Sequence, residues 1–271
     1  MEASSTLPAP MADAVARVRP RLGTHVGGIR YAPTVASTMD AVAMLGETGA
    51  PHGLVLVAGE QTAGRGRRGH LWSSPAGAGL YVSLLVRPPV EAPVGEAPSV
   101  LGLLTLTAGL AVAEGIGQAT GLEASLKWPN DLFHGYKLAG VLAEAHHLGA
   151  ERQFVVLGVG VNVRDVAYVG EDERATSLER ELGAVPDVGE VLAEILAAWA
   201  TRYQDLLDGK FHRVVDRWRH RAGGIVGRPV CWVESGVERE GTTRGVDASG
   251  ALLVDTGERV ARIVSGAVRW L

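Results

Sequence analysis

Three short β-type segments, residues 126–128, 138–145 and 154–163, follow one another with turns at Pro129-Asn130 and His134-Gly135 and no helix between them. Parallel neighbours need a crossover of a dozen or more residues, usually a helix, so this stretch argues for a mainly antiparallel or mixed sheet. The same context decides the reading of Gly64-Arg65-Gly66-Arg67-Arg68-Gly69, which satisfies the dinucleotide pattern G-x-G-x-x-G after a Val/Leu run at 53–58. In a Rossmann unit the last glycine opens a helix whose N-terminus receives the pyrophosphate. Here Trp72, Pro75, Gly77 and Gly79 follow, a series no helix tolerates. Residues 59–79 read instead as a long functional loop rich in Gly and Arg.

Helical signals surround this β-type centre. Ser37 with Asp40 fits a capping box ahead of the apolar run 41–45, with Gly46 as its stop. Residues 99–117 are apolar almost all round, as in a helix buried against a sheet, while 79–87 is another β-type run. The periodicity predicts helices over 188–207, with Gly209 as the stop, and over 211–221. Beyond Gly223-Gly224, short strands at 230–233, 242–246, 252–254 and 260–263, punctuated by Gly and Asp, suit a small β-barrel. Residues 1–22 mix Ala, Pro and Ser with Glu2 and Asp13 and read as a flexible N-terminal tail. That divides the rest into a larger domain, 23–222, and a small C-terminal β domain, 223–271.

Composition matters here for what it excludes. With 46% hydrophobic and 21% charged residues the chain can bury a sizeable core. Its 26 basic and 30 acidic residues, a net charge of −4, leave no polybasic surface over the whole chain. One cysteine, Cys231, excludes an internal disulfide framework and a cysteine-cage zinc site, and points to a reducing cytoplasm. The longest apolar stretch, 100–113, falls short of the roughly 20 residues a membrane span needs. The first 22 residues lack the apolar segment of a signal peptide.

The loop offers three guanidiniums interleaved with glycines, which let backbone N–H groups approach a ligand; this suits a phosphate or carboxylate. A solvated basic loop, or one touching nucleic acid, is the plainer alternative. Lys127-Trp128-Pro129-Asn130-Asp131 sets a cation, a rigid turn and two short polar side chains at a strand end. There Asn130 and Asp131 either stabilise the turn or meet a nucleotide phosphate. Lys137-Leu138-Ala139-Gly140 opens an apolar strand with one lysine. Gly158-Val159-Gly160-Val161-Asn162 carries glycines at alternate strand positions, where a ligand or another backbone comes close, with Asn162 at its end. His146-His147 lacks companions for a metal site, and no Walker A pattern occurs.

These four motifs, in this order, resemble those of biotin protein ligases. The resemblance reaches Ser37-Thr38 upstream and, near the C-terminus, Gly227-Arg228-Pro229-Val230, Arg244-Gly245-Val246-Asp247 and Gly250-Ala251-Leu252-Leu253. It implies an α+β catalytic domain related to class II aminoacyl-tRNA synthetases, with a small SH3-like β-barrel behind it. It also implies a two-step reaction. Biotin and ATP, with magnesium, give biotinyl-5′-AMP and pyrophosphate, and the biotinyl group then passes to one lysine of the biotin carboxyl carrier domain of an acetyl-CoA or acyl-CoA carboxylase. Carried over by motif, Lys137 and Arg67 are the catalytic pair, drawing the biotin carboxylate to the α-phosphate. Ser37, Thr38 and Gln61 would hydrogen-bond the ureido ring, whose burial without partners costs roughly 2–7 kcal/mol. Gly64, Arg65 and Gly66 would close over biotin, with Met39 and Gly140 beside it. Arg65, Arg67, Arg68, His70, Trp72, Asn130, Asp131, Lys137 and Asn162 would face ATP or the adenylate, Trp72 either walling the pocket or packing; no metal ligands are assigned.

Met39 stands where the family usually has Asn, and His70 where a more strongly basic residue is common. About two dozen residues ahead of the catalytic domain are too few for a winged helix-turn-helix, so the expected form is the ligase without DNA binding. The expected partner is the carrier domain, with no DNA and no membrane, and the expected state a monomer or weak homodimer. Two other readings share features: a lipoate or octanoate ligase or transferase of the same fold, and a non-catalytic vitamin- or nucleic-acid-binding module built on the Arg loop. Lys137 and Asn130 argue against the latter.

Overall fold

The computed structural model describes residues 6–89, 98, 100–147, 153–166, 175–264, 266 and 268–271. Strands β1 (Ile29–Ala32), β2 (Val55–Ala58), β3 (Gly79–Val86), β4 (Ser125–Lys127), β5 (Asp131–His134), β6 (Tyr136–His147) and β7 (Gln153–Asn162) form one sheet, ordered β1-β2-β3-β7-β6-β5-β4. β1 pairs with β2 in parallel, and the other pairings are antiparallel, which is the mixed sheet expected from the short connections. Two short strands went unread in the sequence. β1 is only four residues long, and β5 lies between two turns that mask it.

The sheet is buried on both faces, so its central strands read as continuous apolar runs. Alternate residues of β2 and β3 serve different cores. Val55, Val57, Leu80, Val82 and Leu84 face the larger one, with α3 (Val100–Thr120) and α5 (Val188–Leu207). Leu56, Ala58, Tyr81 and Leu85 face a smaller core with Met39 and Val42 of α2 (Thr38–Glu47). Helix α2 starts as its sequence requires, the Ser37 hydroxyl accepting from the Asp40 N–H at 3.4 Å; it runs one residue past Gly46. Helices α5 and α6 (Phe211–Arg221) span the stretches predicted from periodicity, and Ser99, the first residue of the run expected for α3, lies outside the described residues.

The N-terminal tail reading needs correction. Residues 9–22 form helix α1 (Ala9–Leu22), which packs on α5 through buried Ala14, Val15, Val18 and Leu22. Arg21 adds a two-pronged ion pair to Glu194 at 2.8 and 2.9 Å, and Arg17 pairs with Glu190. Its Ala and Pro content hid a narrow apolar stripe. The stripe is stable because α5 covers it.

After the short helix α4 (Leu178–Leu182), α5 and α6, strands β8 (Pro229–Glu234), β9 (Val237–Val246), β10 (Leu252–Asp255), β11 (Val260–Ile263) and β12 (Val268–Trp270) form an antiparallel sheet, ordered β11-β10-β9-β8-β12 and compatible with a small barrel. β12 went unread. This sheet is fastened to the larger unit: Trp128 Nε1 donates to the Gly250 carbonyl at 3.0 Å, and Arg219 donates twice to that of Val246 at 3.1 and 2.7 Å.

Candidate active site

Helix α2, the 59–79 loop and strands β6 and β7 enclose a cleft of about 360 Å³. At one end, uncharged polar side chains form a directed chain of hydrogen bonds. The Ser83 hydroxyl donates to Thr38 Oγ1 (2.8 Å), Thr38 donates through its N–H and hydroxyl to Gln61 Oε1 (2.8 and 3.0 Å), and Gln61 Nε2 donates to Ser74 Oγ (2.9 Å). Ser74 in turn donates to the Trp72 carbonyl at 3.1 Å. The chain fixes both Thr38 and Gln61, and it leaves a second Gln61 N–H and a Thr38 lone pair for a ligand. Such a donor–acceptor pair on an apolar wall fits an amide or urea.

The Gly-rich stretch is a closed turn. Trp72 N–H donates to the Gly64 carbonyl (2.9 Å), Gly66 N–H to that of His70 (2.8 Å) and His70 N–H to that of Arg67 (3.1 Å). Arg68 takes a left-handed conformation at its tip, φ 57° and ψ 33°, followed by Gly69 at φ 76°. Gly64 is required by contact: a Cβ there would stand 2.7 Å from Ser74 Oγ and collide with the Trp72 carbonyl.

The opposite end is cationic. Arg67 donates from Nη1 to Asn130 Oδ1 and from Nη2 to the Gly266 carbonyl, each at 3.1 Å. Burial first, and the neighbouring Arg68 charge second, push its pKa down, while Asp131 opposes them; a guanidinium nevertheless stays charged. Asn130 Nδ2 donates to the Val141 carbonyl (2.9 Å) and to Asp131 Oδ1 (3.1 Å), so the strand-end turn is locked as it presents both residues. Lys137 Nζ lies 3.7 Å from the same Asp131 oxygen and 5.3 Å from the centre of the Trp72 ring. Arg67, Arg68 and Lys137 against one carboxylate make this end a strong attractor for anions.

Glycines form the floor because large side chains lie on it. A Cβ at Gly160 would stand 2.5 Å from Trp72 Nε1, one at Gly140 3.1 Å from its Cζ3, and one at Gly158 2.5 Å from Met39 Sδ. Gly140 and Gly160 are register partners, so the indole rests across β6 and β7. Trp72 Nε1 is buried there, against Gly160, with no hydrogen-bond partner among the described residues.

The structure thus brings together Thr38, Met39, Gln61, Arg65, Gly66, Arg67, Arg68, His70, Trp72, Asn130, Asp131, Lys137 and Gly140, all lining the cleft. Ser37, Gly64 and Asn162 do not line it. Ser37 caps α2, Gly64 closes the turn, and Asn162, 2% exposed, donates from Nδ2 to the Thr176 carbonyl at 3.0 Å and to that of Lys137 at 3.4 Å. Unread were Ser83 and Ser74, which complete the hydrogen-bond chain, and Leu142 and Val268, which line the cleft; Gly158 and Gly160, singled out for a close approach, line it as well. Ser83 carries a visible signal, as the one polar side chain inside an apolar run.

A model of the biotin/lipoate A/B protein ligase family matches residues 31–162. The chain is 34% identical to the bifunctional ligase/repressor BirA of Bacillus subtilis, over 93% of this chain and 77% of that protein. It is 36% identical to the biotin–[acetyl-CoA-carboxylase] ligase of Mycobacterium tuberculosis, over 85% of this chain and 88% of the other. Among solved structures, the biotin protein ligase from Aquifex aeolicus in complex with biotin and ATP superposes with a TM-score of 0.74 at 30% identity, covering 90% of this chain and 99% of that one.

Proposed function

The chain belongs to the biotin protein ligases, and from that premise we propose how its cleft activates biotin with ATP and passes it to a carrier lysine. The observation that carries the proposal is the polarity of the cleft. A neutral hydrogen-bonding end, Thr38 and Gln61, faces a cationic end, Arg67 and Lys137. Biotin has the same polarity, a urea at one end and a carboxylate at the other. The ureido ring lies against Thr38 and Gln61, with the Ser37-capped helix start beneath them, and Met39 and Gly140 flank it. The carboxylate then reaches Arg67 and Lys137.

In the first step a biotin carboxylate oxygen attacks the α-phosphorus of ATP, the bond to the β,γ-phosphates breaks, and pyrophosphate leaves with its electron pair. Two anions must meet for this, and Arg67 and Lys137 offset both their repulsion and the charge that grows in the transition state. Arg68 and His70 along the loop, Trp72 on the floor and Asn130 and Asp131 at the strand-end turn are the groups proposed to hold the nucleotide; Arg65, engaged with Asp40 and Glu144, and Asn162, buried behind the cleft, are not among them. Magnesium bound to the phosphates would neutralise part of their charge. Asn130 and Asp131, which line the cleft, would offer oxygen ligands to such an ion; no group of three or more His, Cys, Asp or Glu side chains that could hold a metal is found among the described residues. In the second step the lysine amine of a carboxylase carrier domain attacks the acyl carbon, AMP leaves, and the amine loses a proton as the amide forms.

Biotin-dependent exchange of pyrophosphate into ATP tests the first step: exchange with biotin and none with lipoate is expected, and the reverse would favour the lipoate reading. We place the enzyme in the cytoplasm, as a monomer or weak dimer, and without operator binding. Among the described residues no helix is long and apolar enough to cross a membrane, a buried lone Cys231 supports the cytoplasmic placement, and a net charge of −4 supports the absence of operator binding. A gel-shift footprint on a defined operator at physiological salt would overturn the last point.

A further inference from the structure

Arg65 does something its place in the loop does not announce. Its Nη1 pairs with Asp40 at 2.7 Å and its Nη2 with Glu144 at 2.6 Å, so one guanidinium spans two elements. Asp40 directly follows Met39 in the first turn of α2. Glu144 shares a face of β6 with Gly140 and Leu142, since strand side chains alternate. Met39, Gly140 and Leu142 line the cleft, and Glu144 stands at the end of that row. The guanidinium therefore crosses from one wall to the other at the Thr38 end, away from Arg67 and Lys137.

We propose that Asp40 and Glu144 are positioning residues that strap the Gly-rich loop, through Arg65, across the Thr38 end of the cleft and so set how fast a bound ligand leaves. The loop has a second side-chain tie, Arg67 to Asn130 and the Gly266 carbonyl. A ligand anion competes for that tie, because Arg67 is the group proposed to meet it. The Arg65 strap meets only protein carboxylates, so it holds during the chemistry. Each ion pair is partly exposed and weak alone, yet a planar fork answering two carboxylates fixes the loop in one position. Loop opening governs departure, so the effect falls on release more than on association.

The proposal rests on the ligase reading, and its test separates the two. Release of prebound biotin and of biotinyl-5′-AMP is timed by chase for the full chain, for Asp40→Asn/Glu144→Gln, and for the charge-keeping Asp40→Glu/Glu144→Asp. At low salt the neutral pair should release roughly three- to tenfold faster, the scale of two partly exposed ion pairs. The charge-keeping pair should stay nearer the unmodified chain, and salt of about 0.5 M should close the gap by screening. Equal release by the neutral pair and the unmodified chain overturns the strap, as does equal acceleration in both double variants. An unmodified chain that binds no biotin overturns the ligase reading itself, and the strap with it.

Discussion

Lys137 is the single charge on which the proposed chemistry leans most. Its Nζ is held between the Asp131 carboxylate and the Trp72 ring, so the ammonium faces the cleft without reorganising. If its role is to stabilise charge in adenylation, Lys137→Ala should slow the first half-reaction by roughly 10²–10³. Transfer from preformed biotinyl-5′-AMP should suffer less; equal losses in both, measured by single-turnover kinetics, would assign it to positioning the common intermediate. Arg67 differs because it also ties the loop to Asn130 and Gly266. Arg67→Gly removes the tie and, with it, the proposed anion contact. The adenylate should then dissociate faster and label lysines of bystander proteins, and an unchanged adenylate off-rate would contradict this. Glycine chemistry was readable in the sequence only in part. The alternate glycines of 158–160 were expected to admit a ligand or a backbone; they line the cleft, and they also clear room for Met39 and Trp72, two side chains from distant segments that no local pattern announces.

At the scale of elements, long periodic helices and apolar strands were legible because their pattern repeats within one segment. Helix α1 was not, since its stripe makes sense only beneath α5. Where α5 meets the β2 side of the sheet, an aromatic group gives a pH test. His52 stacks on Tyr203 with ring centroids 5.5 Å apart and accepts the Arg87 N–H at Nδ1, 3.0 Å. Burial first, then the charges of His25 and Arg87, hold its pKa below the ordinary 6.5. The folded chain thus binds fewer protons here than the unfolded one, and stability rises with pH. The contribution is fully present above about pH 6.5 and is lost as pH falls through the lower folded value. Denaturant unfolding between about pH 5 and 8 should show this loss, and His52→Gln should flatten the slope relative to the unmodified chain. An identical slope in the variant would show that other groups carry it. Tyr203, pushed up to about 12 by burial, stays neutral throughout this range.

In the whole molecule, two sheets meet at the cleft. The smaller one supplies Val268 to the cleft wall and the Gly266 carbonyl to Arg67, and it is anchored through Trp128, Arg219 and Gly250, whose added Cβ would touch Leu103 and Leu106 of α3 at 3.0 Å. The order of motifs made the catalytic half legible. The contributions of Gly266 and Val268 were not, because a backbone carbonyl delivered from nearly 200 residues away leaves no mark in composition or spacing. The account as a whole stands on one polarity, a urea-sized neutral end facing an anion-binding end, and on the acyl transfer that polarity serves. It is tested most directly by incubating the chain with ATP, magnesium, an apo carrier domain and an equal mixture of biotin and lipoate, then reading the modified lysine by mass spectrometry. Biotin on a single carrier lysine, dependent on ATP, is the predicted result; lipoyl transfer, or an unmodified carrier, would contradict it.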